Sequence, residues 1–68
     1  MADILKQFGR QLQRIRAQKG LTQEELAELS GFDRTYISLL ERGKRNPSLV
    51  AISRIADALG VQISELLP

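Results

Sequence analysis

Residues 22–46 read T-Q-E-E-L-A-E-L-S-G-F-D-R-T-Y-I-S-L-L-E-R-G-K-R-N, and the spacing inside that stretch decides the fold. Thr22 and Glu25 stand three apart ahead of an apolar run. That is the S/T-x-x-E capping box, in which each side chain satisfies a backbone N–H left unpaired by the first helical turn. Leu21 and Leu26 take the places of a hydrophobic staple across the same start. The helix so begun is short, with Leu26 and Leu29 expected inward and Ala27 small enough for close approach of a neighbour. Gly31 stops it, since glycine turns at little steric cost. Asp33 is expected to cap a second helix, with Phe32 and Ile37 as its staple pair. Phe32, Ile37 and Leu40 are expected in the core, and Gly43 ends the helix. Two short helices with a glycine turn between them, over about residues 22–42, fit the helix-turn-helix pattern.

Working outward, residues 3–19 carry Leu5, Phe8, Leu12 and Ile15 at spacings of three and four, one face of a helix. Asp3 can cap it, and Gly20 stops it after a last turn with Arg16 and Lys19, where the helix dipole favours cations. Lys6, Arg10 and Arg14 line one flank, read as a solvated face with phosphate contact secondary. Beyond the basic loop at residues 44–47, Ser48 is expected to cap a further helix, or Asn46 with Pro47 at its first position. Its core face is Leu49, Ile52, Ile55, Ala56 and Leu59, and Gly60 ends it. Ser64 is expected to open a last turn through Leu67. The expectation is an all-α, compact five-helix domain spanning residues 1–68, with a central helix-turn-helix.

With 68 residues and no Cys or His, the chain has neither disulfides nor the usual zinc ligands to stiffen it. A domain this small buries only about 60% of its unfolded surface, so helical packing and self-association are the remaining means. The missing Cys fits a reducing compartment, and a cytoplasmic location is expected. No apolar run approaches the roughly 18 to 20 residues of a membrane span, and no signal-peptide pattern opens the chain. An enzyme is not expected: no His or Cys offers a base, nucleophile or metal ligand, and no glycine-rich phosphate loop is present. No cofactor, metal or small-molecule ligand is implied.

Charge points elsewhere. Residues 34–45 hold four bases (Arg34, Arg42, Lys44, Arg45) and one acid (Glu41), a local +3, whereas residues 23–30 hold Glu24, Glu25 and Glu28 and no base. Such polarity suits a polyanion. The run T-Q-E-E-L-A-E-L-S-G-F-D-R-T-Y-I-S-L-L-E-R-G-K-R-N-P resembles the lambda-repressor-like, or Cro/cI-type, helix-turn-helix family. The matching positions are Gln23, Leu26-Ala27, Gly31, Ile37, Leu40 and Glu41-x-Gly43. The likeness extends back to Arg16 and Gly20 and forward through Asn46-Pro47-Ser48 and Ala58-Leu59-Gly60. Within that family, residues 33–38 (D-R-T-Y-I-S) are similar to the controller proteins of restriction–modification systems.

The resemblance implies a transcriptional regulator that binds double-stranded DNA as a dimer. It also implies an interior ion pair between Arg16 and Glu41, tying the first helix to the third. Two positions depart from the family pattern: Ser30, in a place more often apolar, and Leu39, in a place often polar or charged.

Residues at the start of a helix lying in the major groove reach base edges. Here these are Arg34, which matches guanine O6 and N7, then Thr35 and, one turn on, Ser38, with Leu39 facing either a thymine methyl or the core edge. Gln23 at a helix start, Tyr36, Arg42, Lys44 and Arg45 are expected on phosphate, Tyr36 reading equally as a core residue with its hydroxyl at the rim. Val61, Ile63, Leu66 and Leu67 form an apolar cluster at about residues 60–68; one or two can pack beneath the helix before it, and the rest are expected as a homodimer interface. A two-fold pair places two reading helices about one DNA turn, roughly 34 Å, apart. The rival reading is a small helical protein-binding module, such as an antitoxin or anti-repressor, that holds its partner through residues 61–67.

Overall fold

The computed structural model describes residues 3–68. Five helices follow one another: α1 (Ile4–Gln18), α2 (Gln23–Ser30), α3 (Arg34–Glu41), α4 (Leu49–Leu59) and α5 (Ile63–Leu66). Their starts and stops come mostly from local chemistry. Asp3 Oδ1 accepts from the N–H groups of Leu5 and Lys6, at 3.0 and 3.2 Å. The capping box of α2 is complete: Thr22 Oγ1 accepts from Glu25 N at 3.0 Å, and Glu25 Oε1 accepts from Thr22 N at 2.9 Å. Ser48 Oγ accepts from Ala51 N at 3.0 Å and opens α4. Gly31 and Gly60 stand just past α2 and α4 in the left-handed region, at φ +76° and +71°, which side-chain-bearing residues rarely adopt.

Two starts differ from expectation. Asp33 occupies the position before α3 with extended backbone, but its carboxylate makes no capping hydrogen bond. The last helix begins at Ile63 rather than at Ser64, because Glu65 reaches back to the Gln62 N–H at 2.8 Å. That is half of a capping box, with glutamine in the place usually held by serine or threonine.

The core is one cluster drawn from all five helices, with Leu12, Leu26, Ile37, Leu40, Ile55 and Leu66 fully buried at its centre. Leu29 is not part of it and is 60% exposed. At about 100° per residue, Leu26, Ala27 and Ser30 define the inner face of α2, and Leu29 falls about 60° beyond its edge. Leu49 also departs from expectation, at 69% exposed. The buried face of α4 begins at Ala51, leaving the first turn, Leu49 and Val50, outside. Phe32 is only half-buried, at the edge of the cluster. Ser30 is buried without penalty, since its hydroxyl donates to Leu26 O at 2.7 Å.

Leu66 is the largest correction. Expected on a pairing surface, it is fully buried within its own chain, because α5 folds back under α1 and α4. Gln11 Nε2 holds that return by donating to Glu65 O at 2.7 Å. Val61 and Ile63 are half-buried against the same cluster, and Leu67 alone of the four retains substantial exposure, 43%.

One close approach fixes α3. Gly9, in the middle of α1, lies against the last turn of α3, so near that a Cβ there would meet Leu40 O and Glu41 O at 2.5 Å. Two helices meet backbone to backbone at this point, which only glycine allows.

Candidate nucleic-acid interface

The surface of α3 is set by what holds its two ends. At its C-terminal end, Glu41 is buried and accepts three hydrogen bonds from two other elements. Arg16 Nε meets Oε2 at 2.6 Å and Arg16 Nη2 meets Oε1 at 3.0 Å, a bidentate fork from α1. Gln23 Nε2 donates to the same Oε1 at 3.0 Å from the first residue of α2. Arg16 Nη1 spends a further donor on Leu21 O at 2.7 Å. The hydrogen bond to Glu41 raises the Arg16 pKa above its ordinary value, and the Coulombic attraction adds to this, while burial opposes both. One carboxylate therefore joins α1, α2 and α3.

At the N-terminal end the residues that look outward are polar or basic. Arg34 is 63% exposed at its side chain, and Thr35 is exposed beside it. Ser38 and Leu39 follow one turn later, both half-buried. Tyr36 is half-buried too, its ring 4.8 Å from that of Phe32 and tilted by 43°. Past the helix, Arg42, Lys44 and Arg45 are all exposed. Arg42 Nε lies 3.4 Å from Ser38 O. Gly43, at φ +72°, turns the chain out of α3, and Lys44 N donates to Leu39 O at 2.9 Å across that turn.

The structure thus brings Arg34, Thr35, Ser38 and Leu39 together on one helix and follows them with the basic loop. Gln23 stands differently from the other expected phosphate contacts: half its amide donor capacity is committed to Glu41, and one N–H is left. Lys6, Arg10 and Arg14 of α1 are exposed, and the Arg14 guanidinium donates to Gln11 Oε1 at 2.8 Å.

Two residues not among the expected contacts also bear on this surface. Glu24 lies 3.8 Å from Arg34, an exposed ion pair across the α2–α3 turn. Arg54, from α4, reaches the same turn from behind. Its Nη2 donates to Ser30 O at 2.9 Å and to Gly31 O at 3.2 Å, and its Cζ stands 4.3 Å over the Phe32 ring centroid. A signal for it exists in the sequence, because Arg54 is the only basic residue after Arg45.

Among the described residues no cluster of acidic, His or Cys side chains could hold a metal ion, and no helix is long and apolar enough to cross a membrane.

Comparison with known proteins agrees with this architecture. A family model described as helix-turn-helix matches residues 12–66. An uncharacterized HTH-type transcriptional regulator of Sinorhizobium fredii is 48% identical over 65 residues, covering 96% of this chain and 84% of that protein. The control protein C.MunI of a Mycoplasma species is 46% identical over 67 residues, covering 97% of this chain and 90% of that one. In three dimensions the chain is similar to the restriction–modification controller protein C.AhdI from Aeromonas hydrophila. The TM-score is 0.91 with 51% identity, over 93% of this chain and 96% of that one. With the cap, the glycine turn and the buried Arg16–Glu41 fork in place, the chain belongs to the helix-turn-helix family, in its lambda-repressor-like branch that includes the restriction–modification controller proteins.

Proposed function

We propose that this protein regulates transcription by binding a palindromic operator in double-stranded DNA as a two-fold dimer. The observation that carries the reading is the outer face of α3. Exposed Arg34 and Thr35 open a helix whose far end is buried and tied down, and a run of exposed bases follows it. A helix held in this way can enter the major groove with its first turn against base edges.

Arg34 then donates in parallel to guanine O6 and N7 once it leaves Glu24, an exchange that costs little because exposed ion pairs contribute only about 0–1 kcal/mol. Thr35 and Ser38 offer hydroxyls, and Leu39 offers a methyl surface to thymine. Arg42, Lys44, Arg45, the Tyr36 hydroxyl and the free N–H of Gln23 Nε2 take phosphate oxygens. Such contacts position the helix without choosing a sequence.

Few base contacts per copy favour a paired reader. With Leu66 in the core, the apolar surface left for pairing runs through Leu67 and Ile4, 43% and 63% exposed, and a groove of about 120 Å³ lined also by Phe8, Pro47 and Ile52. Leu49 and Val50, each 69% exposed, follow Pro47 at the start of α4.

Selection of bound duplexes from a random pool tests the whole reading. Recovery of an inverted repeat with half-sites about one helical turn apart is expected. Failure to enrich any sequence from the pool would remove the DNA-reading function and leave the protein-binding alternative. Recovery of a single unrepeated site would remove the dimer.

A further inference from the structure

We propose that Arg54 is a positioning residue for the reading surface: from α4 it clamps the α2–α3 turn and, through Phe32, sets Tyr36. The proposal rests on the reading of α3 as the DNA-contacting helix. Three contacts converge on one guanidinium. Two are donations to the last carbonyls around the end of α2, Ser30 O at 2.9 Å and Gly31 O at 3.2 Å. Cations are favoured there, where the carbonyls of a helix end lack partners of their own. The third is the cation–π contact with Phe32, with Arg54 Cζ 4.3 Å from the ring centroid. Phe32 then passes the constraint on, since its ring lies 4.8 Å from Tyr36, the third residue of α3.

Gly31 is shaped to admit this clamp. Its φ of +76° needs glycine, and a Cβ there would stand 2.5 Å from Arg54 Nη2. The turn that sets the angle between α2 and α3 is thus locked by a residue outside the helix-turn-helix itself. A direct phosphate contact by Arg54 is the alternative, and the two roles leave different traces.

Tyr36 supplies the trace. The chain has one Tyr and no Trp, so tyrosine circular dichroism in the near ultraviolet reports Tyr36 alone. Arg54→Met should alter that band, with far-ultraviolet helicity unchanged at low temperature. Affinity for the selected operator should fall about five-fold, the scale of one exposed cation–π contact or hydrogen bond, with the salt slope unchanged. Arg54→Lys, which keeps the charge but not the planar fork, should lie between. Phe32→Leu should lower affinity as well, and the double variant should lose less than the two single losses summed, because both act on Tyr36.

An unaltered tyrosine band in folded Arg54→Met overturns the proposal, and so does an unaltered affinity. A salt slope flatter by about one unit with the band unchanged makes Arg54 a phosphate anchor instead. Should Arg54→Met not fold, Arg54→Lys carries the same comparison. If the parent chain enriches no DNA, the functional reading fails, while the tyrosine band still decides whether Arg54 sets Tyr36.

Discussion

Replacing Glu41 by alanine tests the buried fork that joins α1, α2 and α3. The substitution removes three acceptor contacts and leaves the Arg16 guanidinium, only 14% exposed at its side chain, without its anion. Stranding one member of a buried pair costs about 3–5 kcal/mol. Arg16 keeps one partner, Leu21 O at 2.7 Å, so the lower end, about 3 kcal/mol, is expected. Domains have roughly 0.05–0.15 kcal/mol of stability per residue, so this chain has about 3–10 kcal/mol to lose from. At about 4–8 °C per kcal/mol for a domain of this size, the melting temperature should fall by about 12–24 °C. Thermal melts followed by far-ultraviolet circular dichroism measure it directly. If the loss comes from a stranded charge, Arg16→Met combined with Glu41→Leu should recover most of it. A double variant that melts as low as Glu41→Ala, or a single variant that melts within a few degrees of the parent, would refute it.

Other outcomes follow from the same geometry. Gly9→Ala should destabilise by about 1–3 kcal/mol in urea titration, because backbone oxygens at 2.5 Å outweigh alanine's better helix propensity; a stabilised variant would show that α1 and α3 slide apart freely. Arg34→Ala should cost about 1–3 kcal/mol on the selected operator and relax preference at one base pair, whereas Lys44→Ala should weaken all sequences alike and flatten the salt slope by about one unit, both read in binding titrations. Leu67→Glu should shift sedimentation toward monomer while leaving the melt of the dilute protein unchanged, since Leu67 is 43% exposed and Leu66 beside it is the core residue. The raised Arg16 pKa contributes stability that is present below its unfolded value and lost only as pH rises through the folded one. Both lie far into the alkaline range, so melting temperature should show no transition from this group between about pH 5 and 9.

What was legible in the sequence was mostly what is local. Thr22 with Glu25, Ser48, and glycines at positions 20, 31, 43 and 60 mark helix ends through chemistry within a few residues, and α1 to α4 begin and end close to where those signals place them. The outward polarity of Arg34 and Thr35 was legible for the same reason. What depends on tertiary packing was not. Leu29 and Leu49 belong to helices too short, or too near an end, for apolar identity to fix their facing. Leu66 reads as spare surface until α5 is seen to return beneath α1 and α4. Asp33 has the right residue type for a cap and makes no such bond. Arg54 and Gly9 act across long sequence separations, on residues 30–32 and 40–41 respectively, and no periodicity reports that. Gly9 did leave a trace, since glycine inside a helix is about 1 kcal/mol worse than alanine and needs a reason to be there.

The backbone contact at Gly9 has a mechanical meaning for the proposed dimer. Ile4 opens α1 at the proposed pairing surface, and Gly9, five residues and about 7.5 Å along the same helix, bears on the end of α3. No side chain stands between the two backbones to act as a cushion. In the proposed dimer, α1 would therefore act as a short strut from the partner to α3. Two such struts back to back would act as a fixed-length gauge, and an operator with one base pair inserted between its half-sites would have to be accommodated by twisting the DNA rather than by stretching the protein.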